Sequence, residues 1–183
     1  DGFLMPLQAA GGLPTRNFIE GVFEGADVID GVHMTETILK ERDTCYACVV
    51  KCKRVVEVTE GPYLVDPLYG GPEYETLSTF GSYCGISDLA AVALANQICN
   101  MHGVDTISCG ATIAFAMECF EKGVIGLEQT GGLALRFGDA DAMLEVLNQI
   151  VAGSSALGRL LGGGSARAAQ AWGPAAQACL ITV

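Results

Sequence analysis

The stretch Asp43-Thr-Cys45-Tyr-Ala-Cys48-Val-Val-Lys-Cys52-Lys-Arg54 sets three thiols at the spacing Cys-x2-Cys-x3-Cys. Thiolates are soft ligands, and closely set ones suit zinc or an iron–sulfur cluster. A structural zinc site needs a second cysteine pair, or two histidines, at finger-like spacing further along. His33 and His102 belong to no such pattern. Three cysteines on one turn, with a fourth ligand from far away, fit a 4Fe–4S cluster better. Lys51, Lys53 and Arg54 would offset the negative charge of a thiolate-ligated cluster. The competing reading is a run of free cysteines, which pack like small hydrophobes.

A second chemical stretch is Gly70-Gly-Pro-Glu-Tyr-Glu-Thr76, which gathers Glu73, Tyr74 and Glu75. Two readings stand. It is a loop carrying functional side chains, in which Gly70-Gly-Pro72 lets the backbone pass close to a large cofactor. Or it is a helix N-terminus where Glu73 and Glu75 complement the dipole. Arg16 suits a phosphate or carboxylate, or a solvated loop. Gly162-Gly-Gly164 lacks the Lys-Ser/Thr ending of a phosphate-binding loop and reads as a helix terminator.

The elements that position these residues are mostly helical. Residues 1–31 are glycine-rich and expected to be irregular. A first helix is predicted over Thr35–Arg42, with Lys40 and Arg42 at its C-terminus. Arg54–Val58 and Tyr63–Val65 read as the strands of a small hairpin around Glu60-Gly-Pro62. Ser87 or Asp88 caps Leu89–Cys99, stopped by Gly103, and Asp105 or Thr106 caps Ile107–Lys122, stopped by Gly123. Asp139 caps Ala140–Ala152. Gly158 to Gly164 then breaks the pattern, and Ser165–Trp172 makes a last helix before Gly173-Pro174. The expected fold class is mainly α, a multihelical domain with a small β-hairpin near the cysteine loop.

With 183 residues the chain is one domain, or one piece of a larger protein. Its mean hydropathy is positive, +0.38, yet no apolar run approaches the roughly 18 residues a membrane span needs. Burial against further domains is the expected explanation, with no membrane partner. A net charge of −11, from 21 acidic and 10 basic residues, argues against a nucleic-acid partner. The eight cysteines sit in helical patterns and one ligand-like cluster rather than in a small, loop-rich scaffold. A reducing, cytoplasmic location is expected.

Four stretches in one order carry a family resemblance: Leu13-Pro-Thr-Arg-Asn-Phe18, Cys45-x2-Cys48-x3-Cys52, Gly71-Pro-Glu-Tyr-Glu-Thr76 and Gly103-Val-Asp-Thr-Ile-Ser108. Together they resemble the tungsten-containing aldehyde:ferredoxin oxidoreductases, and Gly110-Ala-Thr-Ile-Ala-Phe-Ala-Met-Glu118 continues the likeness. The chain looks like the second, helical domain of that three-domain enzyme, a single domain over residues 1–183. The resemblance implies tungsten (or molybdenum) held by two pterins, beside a 4Fe–4S cluster that passes electrons to ferredoxin. It implies that Cys45, Cys48 and Cys52 ligate the cluster and that the fourth ligand lies in the third domain. Cys84, Cys99, Cys109, Cys119 and Cys179 are then structural.

The family's pterin-contacting motif, Asp-x2-Gly-Leu-Asp/Cys, maps onto Asn100-Met-His-Gly103-Val104-Asp105, with Asn for the first Asp and Val for Leu. Asn100, Gly103, Val104 and Asp105 are the implied cofactor contacts, Asp105 doubling as a helix cap. Glu75 and Tyr74 match the carboxylate and phenol placed beside the metal, and this match selects Glu75 over Glu73 as the proton-handling group. Leu94 stands where some members place a glutamate that shares a metal between subunits. Neither histidine matches the second ligand, which counts against that bridge and a dimer built on it.

The implied partners are ferredoxin, the N- and C-terminal domains of the same chain and a small-molecule aldehyde; a homodimer stays open only without that bridging metal. The expected reaction takes aldehyde and water to carboxylate, with two electrons leaving through iron–sulfur. The isolated 183 residues are expected to be inactive. Relatives that reduce aromatic thioesters or oxidise a sugar phosphate give alternative substrates. A stand-alone iron–sulfur electron-transfer module is the alternative from another class, and it requires a fourth cluster ligand within the chain. A helical domain that has lost its cofactors is the last.

Overall fold

The computed structural model describes residues 3–181. In chain order these form α1 (Leu4–Ala9), α2 (Gly31–Thr37), β1 (Leu39–Asp43), β2 (Lys53–Val56), α3 (Tyr74–Thr76) and α4 (Leu89–His102). There follow α5 (Thr106–Glu121), α6 (Leu127–Thr130), α7 (Ala140–Ala152), α8 (Ala156–Leu161), α9 (Ser165–Trp172) and α10 (Pro174–Gln177). The mainly α class and the small two-stranded element beside the cysteine loop are as expected.

Aspartates start the three longest helices. Asp88 accepts from Ala91 N at 3.0 Å, Asp105 from Ser108 N at 2.7 Å and Asp139 from Ala142 N at 2.9 Å. Each satisfies an amide that the first turn leaves without a helical partner. Gly103 and Gly153 close α4 and α7 in the left-handed conformation, at φ 66° and 57°, which a side chain would resist. Helix α5 is buried almost all round, from Cys109 to Cys119 with the exception of Ala111. It is therefore the central helix, packed by α7, α9 and the segment that follows α3. Phe80 and Phe115 are fully or nearly fully buried, each contributing about 1.5–3 kcal/mol of transfer free energy. Trp172 stacks on Phe115 with ring centroids 5.8 Å apart.

Four local expectations change. The glycine-rich N-terminal stretch contains helix α1. The helix predicted over Thr35–Arg42 lies earlier, because Asp30 caps α2 by accepting from His33 N at 2.7 Å. Thr35 and Thr37 then donate their hydroxyls back to the Gly31 and His33 carbonyls, and Leu39–Asp43 leaves as a strand. That strand pairs antiparallel with β2, Arg42 opposite Arg54 and Asp43 opposite Lys53, so the cysteine loop joins the two strands of a hairpin. The hairpin predicted around Glu60-Gly-Pro62 is reduced to one bridge, Val58 to Val65, with hydrogen bonds of 3.1 and 3.0 Å.

The fourth change concerns Gly158, which continues α8 rather than breaking it. A Cβ there would lie 2.2 Å from the Gln149 carbonyl oxygen. The glycine lets α8 press on the backbone of α7, and the helix stops at Gly162 instead. After α9, the short α10 starts with Pro174 at its first position.

Candidate active site

Cys45, Cys48 and Cys52 stand on the loop from Thr44 to Cys52 between β1 and β2, Cys45 and Cys52 exposed and Cys48 half-buried. A turn closes at Cys48 N to Cys45 O, 3.0 Å, and Thr44 donates its hydroxyl to the Cys48 carbonyl. Ala47 and Lys51 take left-handed φ values of 57° and 54°. Tyr46 and Val49 are fully exposed beside the thiols. Among the described residues no three His, Cys, Asp or Glu side chains are gathered closely enough to hold a metal ion. The donor set itself, three accessible thiols on one short loop flanked by Lys51 and Lys53, suits a cluster whose last ligand comes from elsewhere.

The alternation of β2 turns Arg54 and Val56 inward. Arg54 is 3 % exposed and lies in the wall between two cavities. The first, about 520 Å³, is lined by Cys52, Arg54, Glu73, Tyr74, Glu75 and Leu77, together with Phe3, Leu4 and Gly31. The second, about 360 Å³, is bordered by Lys53, Arg54, Glu75, Thr76, Asn100 and Thr106 among others. Arg54, Glu73 and Glu75 belong to both. Burial pulls the Arg54 guanidinium below its ordinary pKa, and the Glu73 carboxylate opposes that shift.

The Gly70–Thr76 stretch is a helix start at the edge of the two cavities. Glu73 precedes α3 as its N-cap residue and Glu75 lies in its first turn, with both carboxylates exposed at the cavities. Tyr74 is half-buried, its ring 6.2 Å from that of Phe3. Gly71 packs against β2, since a Cβ there would meet Val56 Cγ1 at 2.9 Å and the Arg54 carbonyl oxygen at 3.1 Å. The close approach that the glycine permits is thus to the strand bearing Cys52's neighbours.

The Asn100–Asp105 turn is divided. Asn100 lines the second cavity and donates through Nδ2 to the Tyr69 carbonyl at 2.8 Å. Val104 and Asp105 border a separate hollow of about 110 Å³ with Ser108 and Cys109. The Ser108 hydrogen bonds hold the Asp105 carboxyl below its ordinary pKa. Gly103 is the exposed left-handed residue between them. The structure therefore brings Cys52, Tyr74 and Glu75 to one cavity and Asn100 to its neighbour, with Asp105, the N-cap of α5, at a separate hollow.

A family model described as aldehyde ferredoxin oxidoreductase, domains 2 and 3, matches residues 1–183. The chain belongs to the aldehyde ferredoxin oxidoreductase family. Among members of this oxidoreductase family it is 39 % identical, over 87 % of its length, to a tungsten-containing aldehyde ferredoxin oxidoreductase of Thermococcus kodakarensis, covering 26 % of that protein. A WOR-like subunit of an aliphatic sulfonate oxidoreductase of Pyrococcus furiosus is 27 % identical over 85 % of the chain and 24 % of the relative. The active-site complex BamBC of benzoyl coenzyme A reductase, solved with 1,5-dienoyl-CoA, superposes with a TM-score of 0.65. That likeness is at 25 % identity and covers 81 % of this chain and 21 % of that one. The chain spans about a quarter of the length of the curated relatives it matches.

Sequence reasoning gave Arg54 only the role of a cation near the thiols and missed its place between the cavities. The signal was present, since Arg54 and Val56 are two apart on one strand and share a face. Asn96, 5 % exposed on α4 and bordering the second cavity, was also missed. An amide inside the apolar run Leu89–Cys99 is what marks it.

Proposed function

We propose that this chain is the helical second domain of a tungstopterin and iron–sulfur oxidoreductase that converts aldehydes to carboxylic acids with ferredoxin as acceptor. The observation that carries the reading is the meeting of Cys52, Tyr74 and Glu75 around one cavity of about 520 Å³. Family membership supports it, as do the tungsten-containing relatives. Other domains of the same chain complete the site, and the isolated segment is inactive. Among the described residues no helix is long and apolar enough to cross a membrane. A cytoplasmic location belongs to the same proposal and rests on the cysteine usage. A homodimer is a further partner proposal.

When bound, the metal held by two pterins supplies the two-electron redox chemistry, and the cluster carries electrons onward. This chain's residues do the rest. Cys45, Cys48 and Cys52 would be this chain's three ligands to a 4Fe–4S cluster, and Lys51 and Lys53 would offset its charge. Asn100, at the second cavity, and Gly103, Val104 and Asp105, on the turn that leads to the separate hollow, would supply the contacts to the pterin. The balance is aldehyde plus water giving carboxylic acid, two protons and two electrons. Glu75 takes a proton from the oxygen that adds to the aldehyde carbon, and Tyr74 donates a hydrogen bond to the substrate oxygen.

A second reading keeps the family and changes the substrate. The likeness to benzoyl coenzyme A reductase favours reduction of an aromatic thioester as that substrate. Metal analysis of the full-length protein tests the first part of the proposal. Tungsten or molybdenum with about four irons per chain is expected; iron without either metal would leave only an electron-transfer module.

A further inference from the structure

Three threonine hydroxyls tie the turn that bears Glu75 to the first turn of α5. Thr76 Oγ1 donates to Thr106 Oγ1 at 2.9 Å. Thr79 Oγ1 is 2.9 Å from the Glu75 carbonyl oxygen and 3.2 Å from that of Thr106, and its single proton is shared between them. Thr76 and Thr79 are 3 % and 2 % exposed and Thr106 is half-buried, so these bonds are partly shielded from water. Glu75, Thr76 and Thr106 border the same second cavity.

Two independent features make this junction stiff. Gly110, one turn along α5, lies so close that a Cβ there would sit 2.7 Å from Thr79 Cβ. The backbones of α5 and of the Glu75 segment therefore touch without a side chain between them. The segment also passes from α3 into a π-helical turn over Leu77–Gly81. Such turns are uncommon and recur at functional sites. Here the turn is kept although Ser78 Oγ is buried with no hydrogen-bond partner among the described residues. A threonine hydroxyl bonded four residues back bends a helix, and Thr79 makes that bond to Glu75.

We propose that Thr76, Thr79 and Thr106 are positioning residues that fix the Glu75 turn on α5 and so hold the carboxylate at its cavity. They act through Glu75 and touch no reacting atom. The inference rests on the proton-accepting role given to Glu75 above.

The test uses the complete, cofactor-loaded enzyme. Thr106→Val should lower kcat by up to about 10²-fold, the scale of a misplaced catalytic group, with KM and metal content unchanged. Amide hydrogen exchange across residues 75–81 should speed up in that variant. Thr106→Ser, which keeps the hydroxyl, should restore both. The combined variant Glu75→Gln/Thr106→Val should turn over no more slowly than Glu75→Gln alone, because the threonine has nothing left to position. Losses that multiply, wild-type kcat in Thr106→Val, or no rescue by serine would overturn the proposal. Should Thr106→Val fail to load its cofactors, Thr79→Val carries the same comparison, and cofactor loss there too would reduce the bridge to a structural one. Full activity in Glu75→Gln is a different result: it removes the role of Glu75 itself.

Discussion

Asn17 donates its side-chain amide to the Glu118 carboxylate and to the Cys179 carbonyl, the latter at 2.9 Å. One buried amide thus joins the N-terminal loop, the central helix and the C-terminal end. Its own φ is 52°, between Arg16 at 47° and Phe18 at 66°, and asparagine tolerates that left-handed region better than most residues. Glu118 is 4 % exposed and is also bonded by Lys122. Removing the amide leaves a buried carboxylate short of a donor. Asn17→Ala is expected to cost about 2–3 kcal/mol, and chemical denaturation of the variant measures it.

The eight cysteines divide by exposure. Cys84, Cys99, Cys109, Cys119 and Cys179 are buried, whereas Cys45 and Cys52 are exposed and Cys48 is half-buried. Burial also pushes the Cys84 thiol well up, away from its reactive thiolate. In cofactor-free native protein, a water-soluble thiol reagent should label Cys45, Cys48 and Cys52 quickly. The other five should react only on unfolding. Mass mapping of the labelled peptides checks this, and fast labelling of Cys84 would contradict it.

Tyr63 donates to Asp141 Oδ1 at 2.7 Å, which joins the Val58–Val65 bridge to the first turn of α7. That hydrogen bond is the main reason the phenol is pushed up to about 12. A phenol raised in the folded state favours folding fully below its ordinary value near 10. The contribution is then lost as pH rises through the folded value. Tyr63→Phe should cost at most about 1 kcal/mol at neutral pH, because the pair is solvent-screened. The phenolate absorbance titration should lose its latest-titrating tyrosine.

The helices were legible because their signals are local. Asp88, Asp105 and Asp139 each lie beside the amides they cap, and Gly103 and Gly153 follow the turns they end. Strand β1 was not legible. Leu39-Lys-Glu-Arg-Asp43 reads as a charged helix end, and only pairing with Lys53–Val56 across the cysteine loop makes it extended. Gly158 misled for the same reason, since its need for a missing side chain is set by Gln149 on another helix. Spacing and resemblance supplied only the candidate site residues. That Glu75 and Asn100 border one cavity while Asp105 borders another depends on the crossing of α3 and α5, which no local pattern encodes.

The role proposed for Glu75 is to accept a proton during aldehyde oxidation. Glu73 and Glu75 border the same cavities, so they are each other's control. The direct measurement is aldehyde-dependent reduction of ferredoxin by the full-length enzyme, with Glu75→Gln and Glu73→Gln prepared at matched tungsten and iron content. Glu75→Gln should lose about 10²–10⁴ in kcat, the usual cost of removing a general base, while Glu73→Gln stays active. Near-wild-type turnover in Glu75→Gln, with Glu73→Gln inactive, would contradict the account.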